Sequence, residues 1–124
     1  DYVADAIASA VQQAADTLKA PAIVAYTHRA PTALRIARER PTCPILGITP
    51  THTSARRLAL VWGVRAFVSA PHKPTTTVED VVEAALDVVN HAGIGQEGDS
   101  VVIAAGVPFG VSGSTNLLRV ARIG

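Results

Sequence analysis

Two patterns of apolar residues take turns along this chain. In one the apolar residues recur with the period of a helix, and in the other they form short continuous runs. Val78, Val81, Val82, Ala85 and Leu86 lie at the spacing of one helical face, and Val89 continues it. Similar spacing predicts a helix over residues 3–18, on the face of Val3, Ile7, Ala10, Val11, Ala14 and Leu18. A further helix is expected from Pro31 to before Pro41, because a proline at the first helical position loses no hydrogen bond.

A fourth helix is predicted around residues 55–62, where Ala55, Leu58, Ala59 and Trp62 share one face. This spacing places Trp62 in the core or in an interface beside Leu58. Gly63 and Gly93 are expected to cap helix ends, and Thr76 with Glu79 fits a capping box at the start of the 78–89 helix.

Five short apolar runs are predicted to be strands: residues 22–26, 45–49, 66–69, 100–105 and 117–123. Strands that alternate with helices indicate βαβ units and a parallel sheet, and right-handed crossovers leave few layouts. No helix separates the last two strands, so the fifth should pair antiparallel with the fourth. We therefore predict a three-layer α/β/α domain with a five-stranded, mostly parallel sheet of order 3-2-1-4-5.

Composition limits the classes of function. A chain of 124 residues that is 48% apolar can form one domain with a substantial core. The net charge is +1, and we expect acidic and basic residues to be interspersed, with neither a nucleic-acid-binding stripe nor an apolar membrane span. Cys43 is the single cysteine, which fits a reducing, cytoplasmic compartment, and the lack of methionine indicates a processed or excised piece.

A ligand site is expected where the strand order reverses, between the carboxyl ends of the first and fourth strands. The loops there are residues 27–32, which open a helix, and 106–115, which are rich in glycine and hydroxyls. Free N–H groups at a helix start and in a glycine-rich loop bind anions such as phosphate. The candidate residues are Thr27, His28, Arg29, Thr32, Ser112, Gly113, Ser114 and Thr115.

Three blocks of this sequence resemble one known family and occur in the same order as in that family. Gly106-Val-Pro-Phe-Gly-Val-Ser-Gly-Ser-Thr-Asn116 with Leu-Leu-Arg-Val is similar to the last hairpin of pyruvate kinase. Thr49-Pro50 followed by Ala55-Arg-Arg-Leu-Ala-Leu-Val-Trp-Gly-Val64 resembles a second stretch of that family, and Ala37-Arg-Glu-Arg-Pro41 with Pro44-Ile-Leu-Gly-Ile-Thr49 a third. The resemblance covers nearly all of residues 1–124 as a single C-terminal domain. Nothing in the chain resembles the family's catalytic barrel or lid domain.

The resemblance implies a regulatory and assembly domain. The parent enzyme transfers phosphate from phosphoenolpyruvate to ADP in glycolysis with Mg²⁺ and K⁺, and its catalytic groups lie in the barrel. We therefore expect no catalytic or metal-binding residue in this chain, and expect the barrel and a second copy of the chain as partners. The corresponding loops of eukaryotic members hold a sugar bisphosphate, and bacterial members use the region for varied phosphorylated effectors, so a sugar phosphate or a nucleotide is the expected ligand.

The chain departs from the family pattern in one loop and at one helix end. The loop usually reads Thr-x-Ser-Gly-Arg-Ser/Thr, whereas this chain has Thr27-His-Arg-Ala-Pro-Thr32, without the glycine that lets a phosphate approach the backbone. Ala92 stands about where bisphosphate-responsive members carry an arginine. The alternative interpretations are a stand-alone small-molecule-binding domain of the same fold and, with less support, a small independent enzyme.

Other motifs are expected to be structural. The literal G-x-G-x-x-G at residues 93–98 ends a helix and precedes a strand, which is the wrong context for dinucleotide binding. Residues 110–114 narrowly miss a nucleophile elbow and lack a following acid and histidine. His28, His52 and His72 each follow a strand and are expected to be solvated, and Cys43 is expected to pack rather than react.

Overall fold

A computed structural model describes residues 2–27, 31–68, 77–106 and 116–124 of the chain. Helices and strands alternate along these ranges until the last two strands, which follow each other directly. In chain order the elements are α1 (Tyr2–Leu18), β1 (Ile23–Tyr26), α2 (Pro31–Arg38), β2 (Ile45–Thr49), α3 (His52–Leu58), β3 (Val64–Val68), α4 (Val78–Ala92), β4 (Ser100–Ala105) and β5 (Leu117–Arg122).

The strands form one sheet of order β3-β2-β1-β4-β5. The pairs β1–β2, β1–β4 and β2–β3 are parallel, and β5 pairs antiparallel with β4. This confirms the predicted fold class, strand order and direction of the fifth strand. Parallel neighbours need crossover helices, whereas β4 and β5 are joined without one.

Helices cover both faces of the sheet. On one face, α1, α2 and α3 contribute Val11, Ile36 and Leu58 to a core with alternate residues of β1, β2 and β4. On the other face, α4 packs Val81, Ala85 and Val89 against the intervening residues of the same strands. Every residue of β2 is therefore buried, and β1 and β4 are buried except at one end. None of the helices within the described ranges is long and apolar enough to cross a membrane.

The face that α1 buries differs from the predicted one. Its buried residues are Ala4, Ala8, Val11 and Ala15, while Val3 is 55% exposed and Leu18 is 45% exposed. The prediction followed the larger apolar residues, but the helix turns its alanines to the sheet. Small side chains let the backbone of α1 approach the sheet closely. Close packing of α1 on the sheet is therefore favoured here over burial of its larger apolar side chains.

Of the two positions predicted for Trp62, the core is wrong and the interface stays a prediction. Helix α3 ends at Leu58 with Ala59 as its C-cap, so the helical spacing does not continue to Trp62. The Trp62 side chain is 90% exposed, and β3 begins at Val64, two residues earlier than predicted. The capping box of α4 is also displaced by one residue, because Thr77 and Asp80 form it instead of Thr76 and Glu79.

Gly95 lies in a crowded turn between α4 and β4. Its φ is +75°, and a Cβ there would lie 2.8 Å from Pro21 Cγ and 2.7 Å from Ile123 Cδ1. Gly93 has a similar φ of +69° as the C-cap of α4, but no atom lies within 4 Å of a Cβ built on it. The two glycines therefore share a backbone requirement and differ in the space around them.

Gly95→Ala should lower the free energy of unfolding more than Gly93→Ala does. Each substitution should cost about 1–2 kcal/mol for placing a Cβ in the left-handed region. Only Gly95→Ala should add about 1–3 kcal/mol, because it forces Pro21 and Ile123 apart. Urea unfolding of both variants measures the difference. Equal decreases in the free energy of unfolding would show that Pro21 and Ile123 move aside at no cost.

Candidate functional site

Buried polar residues of the described chain are concentrated at the carboxyl edge of the sheet. They are Thr27, Thr32 and Thr49, which are 4%, 5% and 1% exposed. Thr27 follows β1 directly, Thr49 ends β2, and Thr32 lies in the first turn of α2. Because the core is otherwise apolar, three buried hydroxyls at one edge mark this edge as the polar region of the interior.

The sheet register brings Thr27 and Thr49 side by side. Tyr26 is paired with Ile48, and the Thr27 N–H donates a 2.9 Å hydrogen bond to the Ile48 carbonyl, so the next residue of β2 is the neighbour of Thr27. Successive side chains of a strand alternate between the two faces. A Cβ on Gly47 would face Ala33 of α2, and Thr49 has the same parity as Gly47, so its side chain lies on the α2 side of the sheet.

The hydroxyl of Thr49 is an unusual group. Thr49 Oγ1 is buried and has no hydrogen-bond partner within the part of the chain that the structure describes. A buried hydroxyl without a partner costs about 1–3 kcal/mol. Native proteins retain such groups where a ligand, a bound water or a mechanism uses them. Thr49 is therefore a candidate site residue that the sequence interpretation missed. The sequence feature that could have identified it is a threonine at the end of an otherwise apolar strand.

The electrostatics of this edge favour an anion. The first turns of α2 and α3 contain no acidic residue. By contrast, α4 begins with Glu79 and Asp80, and Asp80 accepts a hydrogen bond from the Thr77 N–H. Since the N-terminus of a helix carries about half a positive charge, α4 is compensated by its own side chains and α2 is not. The eight-residue α2 thus offers an uncompensated positive end beside the three buried threonines.

Of the predicted site residues, the structure places Thr27 and Thr32. They lie on the same face of the sheet, at the carboxyl end of β1 and the start of α2. His28, Arg29 and the run Ser112, Gly113, Ser114 and Thr115 lie outside the described residues. The meeting of the two loops thus stays a prediction.

Several other motifs have a structural explanation. Gly93 of the G-x-G-x-x-G run caps α4 in the left-handed region, and Gly95 and Gly98 also have positive φ, so these glycines serve turns. Ala92 is half-buried against the second core. No cluster of three potential metal ligands occurs within the described ranges. His52 is exposed at the start of α3, whereas His28 and His72 lie outside those ranges.

These observations define a doubly wound α/β domain with buried threonines at the carboxyl edge of its sheet. The chain belongs to the family described as pyruvate kinase, alpha/beta domain, whose profile matches residues 5–121. This confirms the resemblance drawn from the sequence blocks.

Curated relatives give the same result. The chain is 40% identical over 119 residues to a pyruvate kinase of Methylorubrum extorquens and 43% identical over 120 residues to one of Agrobacterium vitis. It is 42% identical over 118 residues to a pyruvate kinase of Geobacillus stearothermophilus. These matches cover 95–96% of the chain but only 20–24% of each relative. The chain thus spans a quarter or less of the length of these relatives, in which the domain is part of a larger chain.

Thr49→Val should raise the free energy of unfolding by about 1 kcal/mol, because it removes a buried hydroxyl without a partner and keeps the shape of the side chain. Thr53→Val, at an exposed position of α3, should change it by less than about 0.5 kcal/mol. Urea unfolding of the two variants gives the comparison. A loss of stability in Thr49→Val would mean that the hydroxyl is bonded in the unliganded protein.

Cys43 should react slowly with iodoacetamide. Burial raises the pKa of the half-buried Cys43 thiol, with a further contribution from the nearby Asp16 carboxylate. Only the thiolate is nucleophilic, so at neutral pH the native thiol should react more slowly than the same thiol in the urea-unfolded chain. Both rates should rise with pH, and the native rate should level off at a higher pH than the unfolded rate, which levels off near the ordinary cysteine pKa of about 8.5. Mass spectrometry of alkylation against pH measures both rates, and equal rates at pH 7 would contradict the effect of burial.

Proposed function

We propose that the chain is the regulatory and assembly domain of a pyruvate kinase. The parent reaction is then phosphate transfer from phosphoenolpyruvate to ADP in glycolysis, carried out by a catalytic barrel with Mg²⁺ and K⁺. The lengths of the relatives support a catalytic partner within the same larger chain. A glycolytic role is cytoplasmic, and it fits a chain with one free, half-buried cysteine.

The observation that carries the regulatory role is the polar edge of the sheet. Thr27, Thr32 and Thr49 provide hydroxyl groups, and the start of α2 provides N–H groups and a positive potential. Hydroxyls and helix N–H groups are donors to phosphate oxygens, and a carboxylate in the first turn of α2 would oppose such an anion. A phosphorylated effector is therefore the ligand whose chemistry fits this edge best.

The proposed effector is a sugar phosphate or a nucleotide. A ligand with a second phosphate that needs an arginine at the end of α4 fits less well. At the end of that helix Ala92 contributes a methyl group, which is packed on the second core and offers no charge to a second phosphate. His28, Arg29 and Ser112 to Thr115 complete the proposed site. The alternative of a stand-alone binding domain would use the same edge.

Assembly of copies is proposed to use β5. This strand is the last of the sheet and pairs only with β4 among the described strands. Val120 is 40% exposed, and Leu117 and Leu118 are half-buried. An unpaired strand edge with apolar side chains is a template for pairing with another chain. Helix α1 contacts β5 and adds the exposed Tyr2 and Val3 to the apolar surface of the domain.

Thr32→Ala should weaken effector binding at least about tenfold, because loss of a hydrogen bond to a charged group costs about 1.5–3 kcal/mol. Thr32→Ser keeps the hydroxyl and should bind within about threefold of the wild type. Calorimetric titration with inorganic phosphate, fructose bisphosphate, glucose 6-phosphate, AMP and ATP measures the affinities.

Thr53→Ala, which changes an exposed hydroxyl on α3, serves as the control and should bind like the wild type. A ligand that binds the wild type and Thr32→Ala equally well would refute the site. Failure of every compound to bind would refute the regulatory role of this edge.

A further inference from the structure

The two faces of the sheet carry different side chains where they reach the carboxyl edge. On the α2 side the buried hydroxyls of Thr27 and Thr49 lie there. On the α4 side the last side chain of each strand is aliphatic or aromatic, and pairing between the strands aligns these five residues in one row: Phe67, Ile48, Tyr26, Ala105 and Leu117. We call them the Tyr26 row. A ligand at this edge therefore meets hydroxyls on one side of the sheet and a largely apolar row on the other.

Aromatic side chains are concentrated in the Tyr26 row. The chain has only one tryptophan, two tyrosines and two phenylalanines, and Tyr26 and Phe67 both lie in this row. Both side chains pack on the second core but are only half-buried, so part of each ring remains at the surface. The Arg65 guanidinium lies 5.7 Å from the centroid of the Phe67 ring, which is a cation–π contact. Tyr26 has the small Ala105 as one neighbour and directly precedes Thr27, so it is the aromatic residue of the row that adjoins the polar site.

Charge at the carboxyl edge also differs between the two sides. The first turn of α4 carries Glu79 and Asp80, whereas the first turn of α2 has no acidic residue. A 3.2 Å ion pair between Glu79 and Arg119, near the start of β5, places the first turn of α4 at this same edge. The carboxylates of α4 offset its helix dipole and repel a further anion. One phosphate is therefore favoured on the α2 side, and a second phosphate is disfavoured on the α4 side.

We propose that this edge binds a nucleoside monophosphate, whose phosphate lies at the start of α2 and whose base stacks on Tyr26. The inference rests on the proposed function, because it takes the phosphate to bind at Thr27, Thr32 and the N–H groups of α2. A nucleoside monophosphate has one phosphate and one planar base at opposite ends, which matches the hydroxyls on one side and the Tyr26 row on the other. A sugar bisphosphate would instead bring a second phosphate towards the Tyr26 row and the carboxylates of α4.

Tyr26 is the residue that determines specificity in this arrangement. A base stacks on an aromatic ring through its π-face, and every base has such a face, so the contact selects nucleotides as a class over sugar phosphates. Phe67 lies two strands away from Tyr26, and its ring is already in contact with Arg65. Thr32 contacts the phosphate and should contribute equally to the binding of every phosphate ester. The contributions of the base and of the phosphate can therefore be measured separately.

The first test compares ligands that differ in a single part. Calorimetric titration of the 124-residue chain with AMP, UMP, ribose 5-phosphate, fructose 1,6-bisphosphate and inorganic phosphate measures the affinities. AMP and UMP should each bind at least about fivefold more tightly than ribose 5-phosphate, which has the same sugar and phosphate without the base. Fructose 1,6-bisphosphate should bind more weakly than AMP. Cooperative urea unfolding verifies that the chain and each variant are folded.

The second test changes the ring. Tyr26→Leu keeps an apolar side chain that can pack on the second core, but it should lower the affinity for AMP at least about fivefold and leave the affinity for ribose 5-phosphate unchanged. Tyr26→Phe keeps the ring and should bind AMP within about threefold of the wild type. Tyr2→Leu, at a 94% exposed position of α1, is the matched control and should change neither affinity.

Ribose 5-phosphate that binds as tightly as AMP, with both weakened by Thr32→Ala, would overturn the base contact and leave the proposed function intact. Tightest binding of fructose 1,6-bisphosphate would identify a bisphosphate effector and overturn the present assignment. Equal loss of affinity for AMP and ribose 5-phosphate in Tyr26→Leu would show that Tyr26 shapes the site without contacting the base, which also overturns it. If none of the five ligands binds, the proposed function of this edge fails together with this inference.

Discussion

Coverage of the sheet by helices on both faces is the constraint on which the rest of this domain depends. Strands β1, β2 and β4 have no solvated face, so their backbone groups must bond within the sheet and their side chains must be apolar. Polar chemistry is therefore excluded from the middle of the sheet. It can enter only where the strands end, and Thr27 and Thr49 are found there.

Coverage of both faces is achieved here with small side chains. Ala4, Ala8 and Ala15 form most of the buried face of α1, and a Cβ added at Gly47 would lie 2.8 Å from Leu58 Cδ1. Close packing of this kind makes the interior sensitive to any added volume. Leu60 and Trp62 lie outside this interior, because α3 ends at Leu58 and its buried face does not continue to them.

Two helices on one face run between the two edges of the sheet. Helix α2 begins with Pro31 and Thr32 at the carboxyl edge and ends at Arg38, which lines a cleft beside Trp62. Helix α3 likewise begins at the carboxyl edge and ends at Leu58. An anion bound at the start of α2 would therefore act on a helix that reaches across the whole sheet.

The sequence by itself determined the elements, the strand order and the family. Period-3.6 and continuous apolar runs, right-handed crossovers and the missing helix between β4 and β5 leave little freedom in topology, and β2 and β4 have the predicted bounds. It also predicted a site at the carboxyl edge, where the structure buries Thr27 and Thr32. Other details depended on the tertiary structure, because burial is a property of packing between distant segments. Local spacing cannot show that α3 stops at Leu58 and leaves Trp62 outside, that α1 buries its alanines rather than Val3, or that Thr49 has no partner for its hydroxyl.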